Sequence, residues 1–383
     1  MFIGIPRETL PGERRVAALP ETVRSLVQAG YIVGVEAGAG RGALAGDDAY
    51  REAGAEVIAD PISLYNRSDL ILKVKQPCFN SAVGAHEAEL LKQGSILITF
   101  LHPAAPSNHD LVRTLAERRI TSFTMDGVPR TSRAQRMDAL TSMSTVTGYR
   151  SVLMAANYLA KFVPMVGTAI GTVKPAKFLL VGAGVVGLQA IATAKRLGAA
   201  ISCVDTRPEA REAARSLGAN VEGFEVPEEL ALGEGGYAKA LPPDWLAKEQ
   251  ALLQSLLPEM DVVILSALVP GEVAPLLVSQ AMVESMAPGA VIVDVAIDQG
   301  GNCALTLAGE VSAHEEVTLV GVQNIPGSMP VHASWLYSNN LLHYVNNLFK
   351  NGDIDWEDDI VKATLVTHEG RIVHAGALKA MAL

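Results

Sequence analysis

The sequence predicts an α/β protein of two doubly wound parallel-sheet domains, the first of them discontinuous, and three observations carry that prediction. One is a single unit of strand, glycine-rich turn, helix and strand over residues 177–207. Another is the alternation of short apolar runs with helical patterns along most of the chain, the mark of βαβ units around a parallel sheet. The last is a stretch beyond Pro330 that is left over once the second domain has its six strands, and so returns to the first. The expected domains are residues 1–140 with 331–383, and residues 141–330.

In the central unit, Phe178, Leu179, Leu180 and Val181 read as a buried parallel strand. The chain then enters Gly182, Gly184 and Gly187 at G-x-G-x-x-G spacing, followed by good helix formers that stop at Gly198. A second apolar strand ends on Asp205. Each glycine has a task in holding a dinucleotide: Gly182 turns the chain, Gly184 admits a pyrophosphate to the backbone, and Gly187 lets helix and strand pack closely. The helix start, through Val185 and Val186, offers unpaired N–H groups to that pyrophosphate. Asp205 would accept hydrogen bonds from the adenosine ribose, and its charge favours NAD over NADP. Arg207, one residue past Thr206, weakens that preference. With strand, helix, second strand and terminal acid all in place, the motif is Rossmann-like and more specific than its glycines alone.

The chain has 383 residues, 49% hydrophobic and 19% charged, with 34 glycines, the profile of a soluble α/β protein long enough for two domains. A net charge of −10 argues against nucleic acid as a partner. Cys78, Cys203 and Cys303 are too widely spaced for a disulfide framework or a zinc pattern, so a reducing compartment and no metal are expected. The N-terminus meets charge at once and does not read as a signal peptide. The most apolar segment, residues 151–173, carries Asn157, Lys161 and Pro164 and reads as a packed helix with a connection, not a membrane span.

In chain order, strands are expected at residues 2–5, 31–36, 55–58, 69–75, 95–101 and 120–125, with helices at 20–29, 47–53, 86–93 and 109–118 among them. A long helical segment from about 134 to 159 leads to the central unit. Strands at 220–226, 261–267, 290–296 and 317–322, with helices at 246–256 and 278–286, complete the second domain. An apolar helix after Pro330 is followed by a strand pair, 360–368 and 370–376, around Glu369 and Gly370.

Four further stretches suggest chemistry. Residues 128–150 are unusually polar for a connection; Ser132 and Gln135 stand at capping-box spacing, which would project Arg130, Gln135 and Asp138 from the first helical turns. Residues 230–245, with three glycines and Tyr237, form a loop long enough to be a lid. Arg15, Lys75, His102 and Asp298 each follow a strand, the edge where open α/β sheets bind ligands, and together could hold a carboxylate and move a proton. Residues 266–271, 298–303 and 324–327 also follow strands; the backbone of the first, at Ala267 and Leu268, could flank a nicotinamide.

Taken together, the opening at residues 3–17, the fingerprint at 181–199, the segments 267–271, 291–296 and 300–303, and above all the loops at 128–140 and 233–239, resemble a known family over essentially the whole chain. The chain is similar to the soluble NAD(H)-binding component (alpha subunit, domain I) of proton-translocating NAD(P) transhydrogenase, a family related to alanine dehydrogenase. The resemblance implies that Arg130, Gln135 and Asp138, with Thr141, arrange the nicotinamide end of NAD(H). It also implies that Gly236 and Tyr237 belong to a mobile loop that closes over the nucleotide. Neither loop is expected in alanine dehydrogenases. Thr141 stands where the transhydrogenase loop often has serine, and Lys75, His102 and Asp298 look more like alanine dehydrogenase. By resemblance the chain forms a homodimer that passes hydride from NADH to NADP⁺ on an NADP-binding beta subunit. A membrane-spanning subunit would couple that step to protons and hold the chain peripherally at the cytoplasmic face. NAD-dependent alanine dehydrogenase is the alternative.

Overall fold

The computed structural model describes residues 1–382 apart from 224, 234–237, 270–272 and 351. It contains two compact units, Met1–Met143 with Pro326–Leu383, and Ser144–Ile325.

The first unit opens with β1 (Phe2–Ile5), α1 (Pro20–Gln28), β2 (Ile32–Glu36), α2 (Asp47–Glu52), β3 (Glu56–Ile58), α3 (Pro61–Arg67) and β4 (Leu70–Leu72). A small hairpin, β5 (Phe79–Asn80) with β6 (Ala85–His86), precedes α4 (Glu87–Leu90), β7 (Ile96–Thr99), α5 (His109–Glu117) and β8 (Thr121–Thr124). Helix starts are set locally. Pro20 and Pro61 occupy first-turn positions, where their missing N–H costs nothing, and the Asp60 carboxylate accepts from the N–H groups of Ile62 and Ser63. The unit boundary falls within α6 (Ala139–Tyr158).

The second unit continues with a hairpin, β9 (Val166–Thr168) and β10 (Gly171–Val173), then β11 (Lys177–Val181), α7 (Val185–Arg196), β12 (Ala200–Val204), α8 (Pro208–Ser216) and β13 (Asn220–Val221). After α9 (Glu228–Ala231) and α10 (Pro243–Leu256) come β14 (Val262–Leu265), α11 (Gln280–Glu284), β15 (Val291–Asp294), β16 (Val311–His314) and β17 (Val317–Val320). The chain then rejoins the first unit as α12 (Pro330–Leu348), α13 (Asp359–Thr364), β18 (Leu365–His368), β19 (Arg371–Ile372) and α14 (Ala375–Met381).

Both sheets are doubly wound. The first has the order β19-β18-β8-β7-β4-β1-β2-β3 and the second β13-β12-β11-β14-β15-β17-β16. Within β11 the alternation of a pleated strand is plain. Phe178 and Leu180 face a core with Val152 and Ile191, while Leu179 and Val181 face the other core with Leu253 and Met282. Burial on both faces explains why the strand reads as a continuous apolar run.

Several expectations change in detail. The sheets are not wholly parallel: β18 runs antiparallel to β8, β19 to β18, and β16 to β17. The strand expected from residue 360 begins with α13, because the Asp358 carboxylate caps the N–H groups of Ile360 and Val361. The helix expected over 86–93 is only α4, and α6 starts at Ala139 instead of 134. Among the described residues no helix is long and apolar enough to cross a membrane.

Candidate functional site

The second sheet reverses its strand order between β11 and β14, and the turns after these two strands border the resulting crevice. Gly182 has φ +93°, a left-handed conformation, and a β-carbon there would lie 2.9 Å from the Ser266 carbonyl oxygen. A β-carbon on Gly187 would lie 1.9 Å from the Gly182 oxygen, so helix and turn meet only through glycine. Gly184 differs. Its backbone is extended, and a β-carbon would find nothing nearer than the Arg207 Nη2 at 3.8 Å. The protein's own packing does not require glycine there, whereas a closely approaching ligand would. The N-terminus of α7 has no side-chain cap, which leaves its first N–H groups facing the crevice mouth.

Asp205 ends β12, is 7% exposed and has its carboxylate fully engaged. One oxygen accepts from the Ala183 N–H at 2.6 Å and Arg207 Nη2 at 2.9 Å. The other accepts from the Arg207 N–H at 2.8 Å and Nε at 3.1 Å. A ribose hydroxyl reaching Asp205 therefore has to replace one of these bonds. The ion pair also offsets the charge that would repel a 2′-phosphate, so Asp205 by itself selects weakly for NAD. Thr206 lends its carbonyl oxygen to Arg211 Nη1 at 2.8 Å. Nearby on α10, Glu249 is buried; that burial, and then the charge of Asp205, push its carboxyl up to about 7.

Across the crevice, the Ser266 hydroxyl donates to the carbonyl oxygens of Val181 and Gly182 at 3.2 and 3.1 Å, seating Ala267 and Leu268 beside the glycine turn. Asp298 is exposed and accepts the Asn324 N–H at 3.3 Å. The opposite, amino ends of β11 and β12 form a cavity of about 400 Å³ lined by Lys177, Ser202 and Glu259, away from the edge where doubly wound sheets bind ligands.

Arg130, Gln135, Asp138 and Thr141 lie in the first unit. Arg130 and Gln135 precede the helix instead of projecting from it, because Asp138, not Ser132, caps α6. Its carboxylate accepts the Thr141 N–H at 2.8 Å and the Thr141 hydroxyl at 2.6 Å. The loop is pinned by Arg133, which is bonded to Asp358, and by Asn340, whose Nδ2 donates to the Arg136 oxygen at 2.9 Å. Arg130 and Gln135 remain exposed. Gly236 and Tyr237 lie outside the described residues; the flanking Leu232 and Ala238 pair in an antiparallel bridge.

Arg15, Lys75 and His102 also belong to the first unit, beyond β1, β4 and β7, whereas Asp298 belongs to the second. The Arg15 guanidinium is buried on the Glu13 carboxylate at 2.8 and 2.5 Å. Lys75 donates its backbone N–H to Glu8 at 3.3 Å. His102, at φ +45°, stands 3.3 Å from Asp126. Burial would raise the Asp126 carboxyl, but His102 and the Thr124 hydroxyl bring it down to about 2. Tyr337 of α12 ties this region together, a role invisible in the sequence. Its hydroxyl donates to the Lys73 oxygen at 2.8 Å, and its ring stacks on Phe100, which stacks on His102. On the surface of the second unit, Glu284, His314 and Glu315 bring ligand-type atoms within 4.8 Å of one another.

Comparison with known proteins agrees with this geometry. Residues 4–147 match the family model "Alanine dehydrogenase/PNT, N-terminal domain" and residues 151–375 the corresponding C-terminal domain. The first of the polypeptides that make up the NAD(P) transhydrogenase alpha subunit of Rhodospirillum rubrum is 41% identical over 379 residues, 98% of each chain. The crystal structure of a transhydrogenase from Sinorhizobium meliloti superposes with a TM-score of 0.85 at 38% identity, over 97% of this chain and 100% of that one. An L-alanine dehydrogenase structure superposes with a TM-score of 0.82 at 30% identity, over 100% of this chain and 99% of the other.

Proposed function

The chain belongs to the alanine dehydrogenase/PNT family, and from that premise we propose that it is the NAD(H)-binding subunit of a proton-translocating NAD(P) transhydrogenase. In this reading a partner beta subunit holds NADP⁺, which takes the hydride directly from NADH, and a membrane-spanning subunit couples the transfer to proton movement. The chain acts as a homodimer at the cytoplasmic face of the membrane. The observation that carries the nucleotide assignment is Gly184: a glycine that internal packing does not need, at the uncapped start of α7.

The nicotinamide supplies the hydride chemistry; the chain binds, orients and keeps water out. The α7 N-terminus receives the pyrophosphate, Asp205 with Arg207 meets the adenosine end, and Ala267 and Leu268 border the nicotinamide half. Transhydrogenation needs two nicotinamides face to face at about 3–3.5 Å, with no substrate carboxylate and no general base. Arg130 and Gln135, exposed on a pinned loop, and the loop carrying Tyr237 suit that task. Gln135→Asn is expected to slow hydride transfer in the reconstituted complex and leave NADH affinity nearly intact; unchanged turnover would remove Gln135 from that role.

NAD-dependent alanine dehydrogenase is the second reading, favoured by Arg15, Lys75 and His102 at neighbouring strand ends around Tyr337. Two assays on one preparation separate the two. Hydride transfer from NADH to an oxidised NADP analogue only when an NADP-binding partner is added supports the transhydrogenase. Robust alanine formation from pyruvate, ammonia and NADH without a partner would move the catalytic assignment to the first unit.

A further inference from the structure

The segment after β14 borders the crevice, yet its own residues give it little to hold on to: Ala267 and Leu268 have no polar side chains. What holds it is Asn302, fully buried beyond β15. Its Oδ1 accepts the Ala267 N–H at 3.1 Å, and its Nδ2 donates to the Ala267 oxygen at 2.9 Å and the Pro275 oxygen at 2.8 Å. Both backbone polar groups of Ala267 are thus matched by one side-chain amide, as a neighbouring strand would match them. With Pro275 on the second amide hydrogen, one residue closes both feet of the segment 267–275. The three partners also fix the amide's orientation, since the flipped form would set its NH₂ against an N–H donor.

Asn302 is itself held on every side. One oxygen of the buried Asp294 accepts the N–H groups of Asn302 and Cys303 at 2.9 and 3.0 Å and the Thr306 hydroxyl at 2.8 Å. The Asn302 carbonyl oxygen accepts from the N–H groups of Leu277 and Val278. Gly301, at φ +83°, lets this turn close, because a β-carbon there would sit 2.9 Å from the Asp294 carboxylate. A continuous set of buried contacts therefore runs from Asp294 through Asn302 and Ala267 to Ser266, and so to the Gly182 turn.

Resting on the NAD(H) reading of this crevice, we propose that Asn302 is a positioning residue that sets the Ala267–Leu268 backbone and thereby the affinity for the nicotinamide half of the dinucleotide. The test is titration of the purified chain with NADH and, separately, with ADP-ribose, which lacks the nicotinamide. Asn302→Asp keeps the shape but sets an oxygen against the carbonyls of Ala267 and Pro275. It should weaken NADH about tenfold, as expected for buried polar groups left without partners. ADP-ribose, held at the α7 N-terminus and Asp205, should change by less than about twofold, a split that a general loss of packing would not produce. Asn302→Ser, a milder loss, should show the same split at smaller amplitude and serves if the aspartate variant does not fold. Equal weakening of both ligands, or no weakening of either, overturns the proposal. If the unsubstituted chain binds neither ligand, the nucleotide reading itself fails, and with it this one, before any variant is made.

Discussion

The two sheets share one winding, β3-β2-β1-β4-β7-β8 in the first unit and β13-β12-β11-β14-β15-β17 in the second, yet their switch points are built in opposite ways. In the second unit the turn after the central strand is glycine, and the helix that follows starts at once, uncapped. In the first unit the chain after β1 carries Glu8, whose carboxylate takes the N–H groups of Val74 and Lys75 at the end of β4. Lys73 lies beneath, 3.4 Å from Glu8 and 3.1 Å from Glu87, with all three side chains buried. Burial works against the charge on Lys73, but Glu8 and then the groups around it outweigh burial and keep it an ammonium. An anion's position at one switch point is thus filled by the protein's own carboxylate, and at the other left to a ligand. Winding supplies the crevice, and side chains decide whether backbone donors remain available in it.

Removing the plug is expected to have the largest effect on stability. Lys73→Met leaves Glu8 and Glu87 buried without their cation and should cost about 3–5 kcal/mol by denaturant unfolding, with NADH affinity of the folded fraction unchanged. A variant as stable as the parent would mean that charge does not hold the first switch point. Gly187→Ala strikes the second unit, where the added carbon meets the Gly182 oxygen. A loss of about 1–3 kcal/mol, together with loss of NADH binding, should appear in paired melting and titration experiments.

Glu249 comes next. Its carboxyl, raised from 4.5 to about 7 by burial and then by Asp205, binds a proton in the folded chain that the unfolded chain has already released. Stability should therefore fall as pH rises from about 4.5 to 7, by on the order of 2 kcal/mol. Glu249→Gln should flatten that slope, and a wild-type slope in the variant would assign the titration elsewhere. The smallest effect on stability belongs to Gly184→Ala, which should leave the melting curve within about 0.5 kcal/mol while weakening NADH about tenfold or more. Loss of stability and affinity together would make Gly184 a packing glycine like Gly187.

What the sequence showed depended on whether the deciding contacts were local. The turn at Gly182, the strand before it and the stop at Gly198 are written in adjacent residues, and the structure has them. The β-branched run at 360–364 reads as strand, but the Asp358 cap and the burial of Ile360 and Val361 make it helix. Strand β16 gives little signal because its hairpin turns on Glu315 and Glu316, both at positive φ, instead of the usual asparagine and glycine. Asn302 and Tyr337 were out of reach for a different reason. Their partners are backbone atoms of residues distant in the chain, and no spacing in a sequence announces such a bond. Asp205 was visible as an acid at a strand end, but its engagement by Arg207 was not.

The most direct test of the contrast between the two switch points is amide hydrogen exchange on the whole chain with and without saturating NADH. The account predicts new protection at Val185, Val186 and Gly187, at the open start of α7, and no change at Val74 and Lys75. NADH-dependent protection at Val74 and Lys75, with none at the α7 N-terminus, would contradict it.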